Sequence, residues 1–83
     1  MKVLYFAWLR QRTGVGEEDV SPPASVKDVA GLVEWLRDRG PGHADALSDL
    51  SAIRVAVNQE FATLTTAISD SDEVALFPPM TGG

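Results

Sequence analysis

The chain has 83 residues, 45% of them apolar, and a formal net charge of -5 with its seven basic residues scattered. That length makes one small domain with little interior to spare for a deep side-chain active site, and the lack of clustered Lys and Arg excludes nucleic acid while an acidic surface suits a partner protein with a basic face. With no cysteine, disulfides, thiolate catalysis and thiolate metal sites are excluded together, in keeping with a reducing cytoplasm.

The opening "MKVLYFAWLR" places Lys2 before an apolar run. The run is short, Arg10 closes it and no small-residue cleavage site follows, so it reads as a strand rather than a leader. Its nearly unbroken apolar character over Lys2 to Trp8 predicts a central strand covered on both faces. No segment approaches the roughly 20 apolar residues that span a bilayer. "WLRQRTG" predicts a short helical turn before a reversal at Gly14 and Gly16, and "GEEDVS" an edge strand with Glu17, Glu18 and Asp19 in water. Pro22 and Pro23 end it. Ser25 then predicts an N-cap, with Asp28 completing a capping box. Val26, Val29, Ala30, Val33 and Leu36 recur on one helical face, with Leu32 at its edge and Trp35 opposite. Gly31 costs this helix about 1 kcal/mol against Ala, and Gly40 and Pro41 stop it.

"HADALSDL" suggests a second, short helix. "IRVAV" alternates, with Val55 and Val57 facing one way and Arg54 and Ala56 the other; "NQE" turns the chain and "FAT" pairs back as a hairpin. "EVALF" is the last strand, with Val74 and Leu76 on one face and Ala75 and Phe77 on the other. One long helix across one face of a mixed sheet, with a crossover that permits parallel central strands, predicts an α+β fold of the β-grasp, ubiquitin-like type.

The end of the chain, "FPPMTGG", carries the chemistry. Pro78 and Pro79 cannot donate to a sheet ladder, so residues 1–77 form the domain and 78–83 an extended tail. Fully extended at ~3.3 Å per residue, that tail reaches roughly 20 Å. Gly82 and Gly83 lack a Cβ, so bare backbone can enter a channel too narrow for other residues. The α-carboxylate at Gly83 is inert until another enzyme activates it as an acyl-adenylate. A frayed terminus also accumulates small residues, but fraying needs no stiff proline arm behind a central strand.

Three stretches, "KVLYFAWLRQRTG", "AVNQ" and "DSDEVALFPPMTGG", resemble the molybdopterin synthase small subunit, the MoaD family of sulfur carriers. The resemblance runs from Lys2 to Gly83 and is weaker between Glu17 and Ser51. It implies a β-grasp fold and a reaction cycle. An E1-like partner uses ATP to adenylate Gly83, and a sulfur donor, a cysteine desulfurase or rhodanese-like protein, converts the adenylate to a thiocarboxylate. The tail then enters the large synthase subunit, where sulfur passes to cyclic pyranopterin monophosphate. The family assembly is a heterotetramer in which the large subunit supplies the catalytic side chains. The carrier itself binds no cofactor. Met80 stands where related sequences often carry Val, which keeps an apolar residue.

The tail residues Pro78, Pro79, Met80 and Thr81 join Phe77 and Arg10 as expected partner contacts. Phe77 could be an ordinary sheet residue, but an exposed aromatic beside a reactive tail suits an interface anchor. Arg10 matches an arginine in the family's opening motif and either pairs with an acidic partner group or is solvated. Trp35 covers loop residues or meets a partner. His43 has no second candidate ligand and reads as a solvated loop residue rather than a metal ligand. Asp70, Asp72 and Glu73 lack a calcium-loop pattern and read as a solvated turn. Three rival functions share the fold: a carrier for another product such as the thiamine thiazole, a ubiquitin-like modifier of lysines, and an interaction domain without chemistry.

Overall fold

A computed structural model of the chain describes residues 1–79; Met80 and Thr81, expected as partner contacts, and Gly82 and Gly83, expected to carry the reaction, lie outside the described residues. Five strands, β1 (Lys2–Tyr5), β2 (Glu17–Asp19), β3 (Arg54–Val57), β4 (Glu60–Ala62) and β5 (Glu73–Phe77), form one mixed sheet in the order β2-β1-β5-β3-β4. β5 is parallel to β1 and antiparallel to β3. Helices α1 (Trp8–Thr13), α2 (Val29–Arg37) and α3 (Pro41–Ala46), with a 3₁₀ turn at Leu50–Ala52, complete it.

The alternation of the strands builds the core. Val3 and Tyr5, Val55 and Val57, and Val74 and Leu76 all point to the face where α1 contributes Leu9 and α2 contributes Val29, Leu32, Val33 and Leu36. That outcome matches the expected inward residues of β3 and β5. β1 departs from expectation. It is buried on one face only, because its second face, carrying Lys2 and Leu4, belongs to a side of the sheet that no helix covers. An apolar run alone does not separate the two cases, since Leu4 is apolar on a partly open face.

α2 begins three residues later than the Ser25 cap predicts. Residues 26–28 run extended instead: Asp28 bridges Ala67, and Ile68 N–H donates to Lys27 O at 3.0 Å. Asp28 is itself the N-cap, its Oδ1 accepting from Gly31 N–H at 2.8 Å. Val26 packs on the core from this extended segment rather than from the helix. α2 ends at Arg37, before Gly40, and Pro41 opens α3 rather than only stopping α2. α3 lies against α1 so closely that a Cβ on Gly42 would collide with the Arg12 carbonyl oxygen. Trp35, expected to cover loop residues or meet a partner, packs partly buried on the core instead, with the Arg39 guanidinium over its ring at 5.2 Å.

The β3–β4 hairpin turns at Asn58 and Gln59, both at positive φ (52° and 69°), the pairing a type I′ turn requires. Asn58 also clasps the start of β5. Its backbone N–H donates to Glu73 O at 2.8 Å, its Oδ1 accepts from Glu73 N–H at 3.0 Å, and its Nδ2 donates to Asp72 Oδ1 at 2.9 Å. The bond from Asn58 and that from Ser69 N–H hold the Asp72 carboxyl below its ordinary range. The acidic stretch is thus the turn expected of it.

Candidate docking site

β5 is the central strand of the sheet and runs directly into Pro78 and Pro79, where the expected tail begins. Leu76 O still accepts a bond from Phe6 N–H at 3.1 Å, but Pro78 and Pro79 have no N–H to continue a ladder, and the strand ends at Phe77. Register then fixes what surrounds the exit on the open face. Leu4 pairs with Ala75, Ala75 with Ala56, and Ala56 with Phe61, a row across four strands. Two alanines make a low floor. Phe61, 86% exposed, rises at one side of it and leans on Phe77, with ring centroids 6.1 Å apart at 53°. Phe6, 48% exposed, follows directly after β1, which runs parallel to β5. The result is a shallow apolar patch with an aromatic rim, next to the last described residues of the tail.

Phe77 is on the face opposite the core as expected, with Pro78 and Pro79 directly after it, but it is half-buried against Phe61 rather than exposed. Arg10 lies apart from them, one turn into α1, in an open cleft of about 530 Å³ lined by Phe6, Ala7, Val15, Gly16 and Glu17. Its side chain passes over Gly16, where a Cβ would sit 3.1 Å from Nε. Among the described residues Arg10 enters none of the ion pairs. Phe6 and Phe61 were not foreseen. Their signal is the alternation itself: Val3 and Tyr5 inward places Leu4 and Phe6 outward, and partly buried Ala62 leaves Phe61 outward.

Behind this face lies a polar cluster that the sequence reading missed. Glu18 is the inward residue of β2, opposite Val3, not part of a solvated edge. His43 is not a solvated loop residue either; it sits on α3 with its side chain only 13% exposed. Tyr5 OH donates to Glu18 Oε2 at 2.7 Å, and His43 Nε2 lies 2.7 Å from the same oxygen. An ionised carboxylate only accepts, so His43 donates through Nε2. Arg39 Nε approaches Glu18 Oε1 at 3.3 Å, and the His43 ring stands edge-on to Tyr5 at 5.7 Å. Burial raises the Glu18 carboxyl, but bonds from Tyr5 and His43 and the charges of His43 and Arg39 outweigh it, and the net shift is downward. Burial, and then the bond to Glu18, drive the Tyr5 phenol upward. Every member is spent on a neighbour, which makes this cluster a structural tie between β1, β2, α3 and the end of α2. Among the described residues no group of three or more His, Asp or Glu side chains converges to hold a metal ion, and no helix is long and apolar enough to cross a membrane.

A five-stranded sheet with a parallel central pair, one helix-covered face and a C-terminal central strand defines a ubiquitin-like, β-grasp domain. The comparisons with known proteins agree. The model of the ThiS family matches residues 3–83. The molybdopterin synthase sulfur carrier subunit of Escherichia coli (strain K12) is 36% identical over 83 residues, covering 100% of this chain and 99% of its own. Among solved structures, a putative molybdopterin converting factor subunit 1 from Pyrococcus furiosus superposes with a TM-score of 0.78 at 31% identity, covering 95% of each chain. SAMP1 from Haloferax volcanii gives 0.75 at 29% identity, covering 100% of this chain and 98% of its own. The chain belongs to the ThiS family.

Proposed function

We propose that this protein is the sulfur-carrier subunit of a molybdopterin synthase and works in the cytoplasm. The observation that carries the reading is full-length identity of 36% to a sulfur carrier subunit of that enzyme, on a fold whose central strand ends in a proline arm. In this cycle ATP and an E1-like partner convert the Gly83 carboxylate to an acyl-adenylate, releasing pyrophosphate. A persulfide sulfur on the donor attacks the acyl carbon and AMP leaves; a second thiol then attacks the donor-side sulfur of the acyl disulfide, freeing the thiocarboxylate and forming a disulfide with the donor. The large subunit then receives the tail and transfers the sulfur to cyclic pyranopterin monophosphate, regenerating the carboxylate with water.

The carrier's own residues deliver and seat the tail. Gly82 and Gly83 thread where a side chain would not fit. Pro78 and Pro79 keep the arm off the sheet, with Met80 and Thr81 along the channel. Phe77, with Phe6 and Phe61, forms the apolar contact, and Arg10 the charged one. Exposed aromatic side chains that become buried on docking are what concentrates binding energy in an interface.

Intact-mass spectrometry after incubation with the E1-like partner, ATP and a sulfur donor tests the reading. The expected result is an oxygen-to-sulfur mass increase that resides on Gly83, followed by its loss on adding the large subunit and the pterin precursor. Likeness to a small archaeal modifier protein favours a second reading, conjugation to lysines. Stable higher-mass adducts in place of the sulfur shift would establish it.

A further inference from the structure

We propose that Ala7 is a positioning residue for partner docking, its confined positive-φ backbone fixing how Phe6 and Arg10 are presented on either side of the β1–α1 turn. The inference rests on the docking reading above. Ala7 adopts φ 54°, ψ -133°, and Leu9 N–H donates to Phe6 O at 3.1 Å. Those are the features of a type II′ turn with Ala7 in its first central position, where glycine dominates because a Cβ is crowded. Nothing in the interior calls for that Cβ, since Ala7 is exposed.

The neighbours on both sides are tied down. Phe6 N–H is bonded to Leu76 O on the tail-bearing strand, and Arg10 N–H to Ala7 O, each at 3.1 Å. Leu9 is fully buried. The turn is therefore a rigid joint between two candidate contact residues, and Ala7 is its one residue at positive φ. A glycine there would remove the crowding but open a broad range of φ and ψ. An L-residue held at this conformation has only a narrow one. For stability alone glycine is the better choice, so the retained methyl group points to presentation of the contact residues, as strained backbone at binding sites does elsewhere.

Three full-length chains made by total synthesis test this: wild type, Ala7→Gly, and wild type with D-alanine at position 7. Thermal unfolding and calorimetric affinity for the large synthase subunit are measured on each. A D-residue prefers the observed φ and ψ and also confines the turn. Both changes should raise the unfolding midpoint. Ala7→Gly should nonetheless bind about two- to five-fold more weakly, while the D-alanine chain binds within about twofold of wild type. Opposite signs in stability and affinity for Ala7→Gly, with recovery by D-alanine, are not produced by a residue that only supports the fold. Unchanged or tighter binding by Ala7→Gly, or a lower midpoint in it, would overturn the inference. Equal weakening in both changed chains would also overturn it, because the methyl group itself would then be the contact. Failure of the wild-type chain to bind would instead remove the docking reading on which it stands.

Discussion

Glu18 carries more of the fold than its place in an acidic edge strand suggests. One carboxylate accepts from Tyr5 and His43 and forms an ion pair with Arg39, three groups that come from β1, α3 and the chain beyond α2. Removing it leaves the buried Tyr5 hydroxyl and the largely buried His43 ring without their acceptor, while the exposed Arg39 turns to water, and stranded buried donors cost more than the bonds were worth when made. Glu18→Ala should lower the free energy of unfolding by about 2–4 kcal/mol, read by urea denaturation at neutral pH. The pH dependence has a definite sign. The folded carboxyl lies below its unfolded value, so the ionised carboxylate's contribution is complete above the ordinary glutamate range, near 4.3, and fades as pH falls through the depressed folded value. Glu18→Gln cannot ionise and should be less stable at neutral pH, with the gap to wild type closing in acid. A gap that stays constant from neutral pH into acid would contradict the assignment. Gly42 makes a second, purely steric case. A Cβ at this position would fall on the Arg12 carbonyl oxygen, a backbone atom that cannot swing aside as a side chain would. Gly42→Ala must push α3 off α1 and should cost about 1–3 kcal/mol, measured by thermal unfolding.

The elements divide into those that face the core and those that face outward on the same strands. β5 shows the division most sharply, with Val74 and Leu76 fully buried and Phe77 turned to the open face. Phe61 on β4 shares that face and gives almost all its surface to solvent, so it contributes little to folding. Phe61→Ser should leave unfolding free energy within about 0.5 kcal/mol of wild type and weaken capture by the large subunit by about tenfold or more, a separation that paired unfolding and calorimetric titrations resolve. Most of this architecture was legible because local rules and packing agree. The alternation in β3 and β5 named their inward residues, and the prolines of the tail marked where the central strand ends. Where reading failed, a distant partner decided. The Ser25 cap lost to the pairing of residues 26–28 with Ala67 and Ile68, which no local pattern encodes. Glu18 and His43, 25 residues apart, each look solvated until the sheet places them on one oxygen. Phe6 was counted into an apolar run, since sequence alone does not say that a central strand has an uncovered face.

At the scale of the whole molecule, the polar side chains that lie inside the fold are occupied with one another. Among the described residues none of their buried nitrogen or oxygen atoms lacks a partner. Tyr5, the largest of the fully buried residues, has its hydroxyl on Glu18. Such groups hold a scaffold; they are not free to meet a substrate. On the proposed reading the reactive centre is the carbonyl carbon of Gly83, and its position is set by a length: the residues that follow Phe77. One alanine added after Gly83 tests that dependence directly. It moves the terminal carbonyl carbon by roughly 3.3 Å and adds a Cβ at the end that, on the proposed reading, enters the partner. Displacements of that size disrupt alignment of reacting atoms, so sulfur transfer in the presence of the large subunit should fall about a hundredfold or more. The unfolding midpoint should stay at the wild-type value, because the addition is separated from the core by the proline arm. An extended chain that is loaded and discharged at the wild-type rate would mean that the partner does not measure the arm, and the reactive carbon would have to be sought elsewhere than at Gly83.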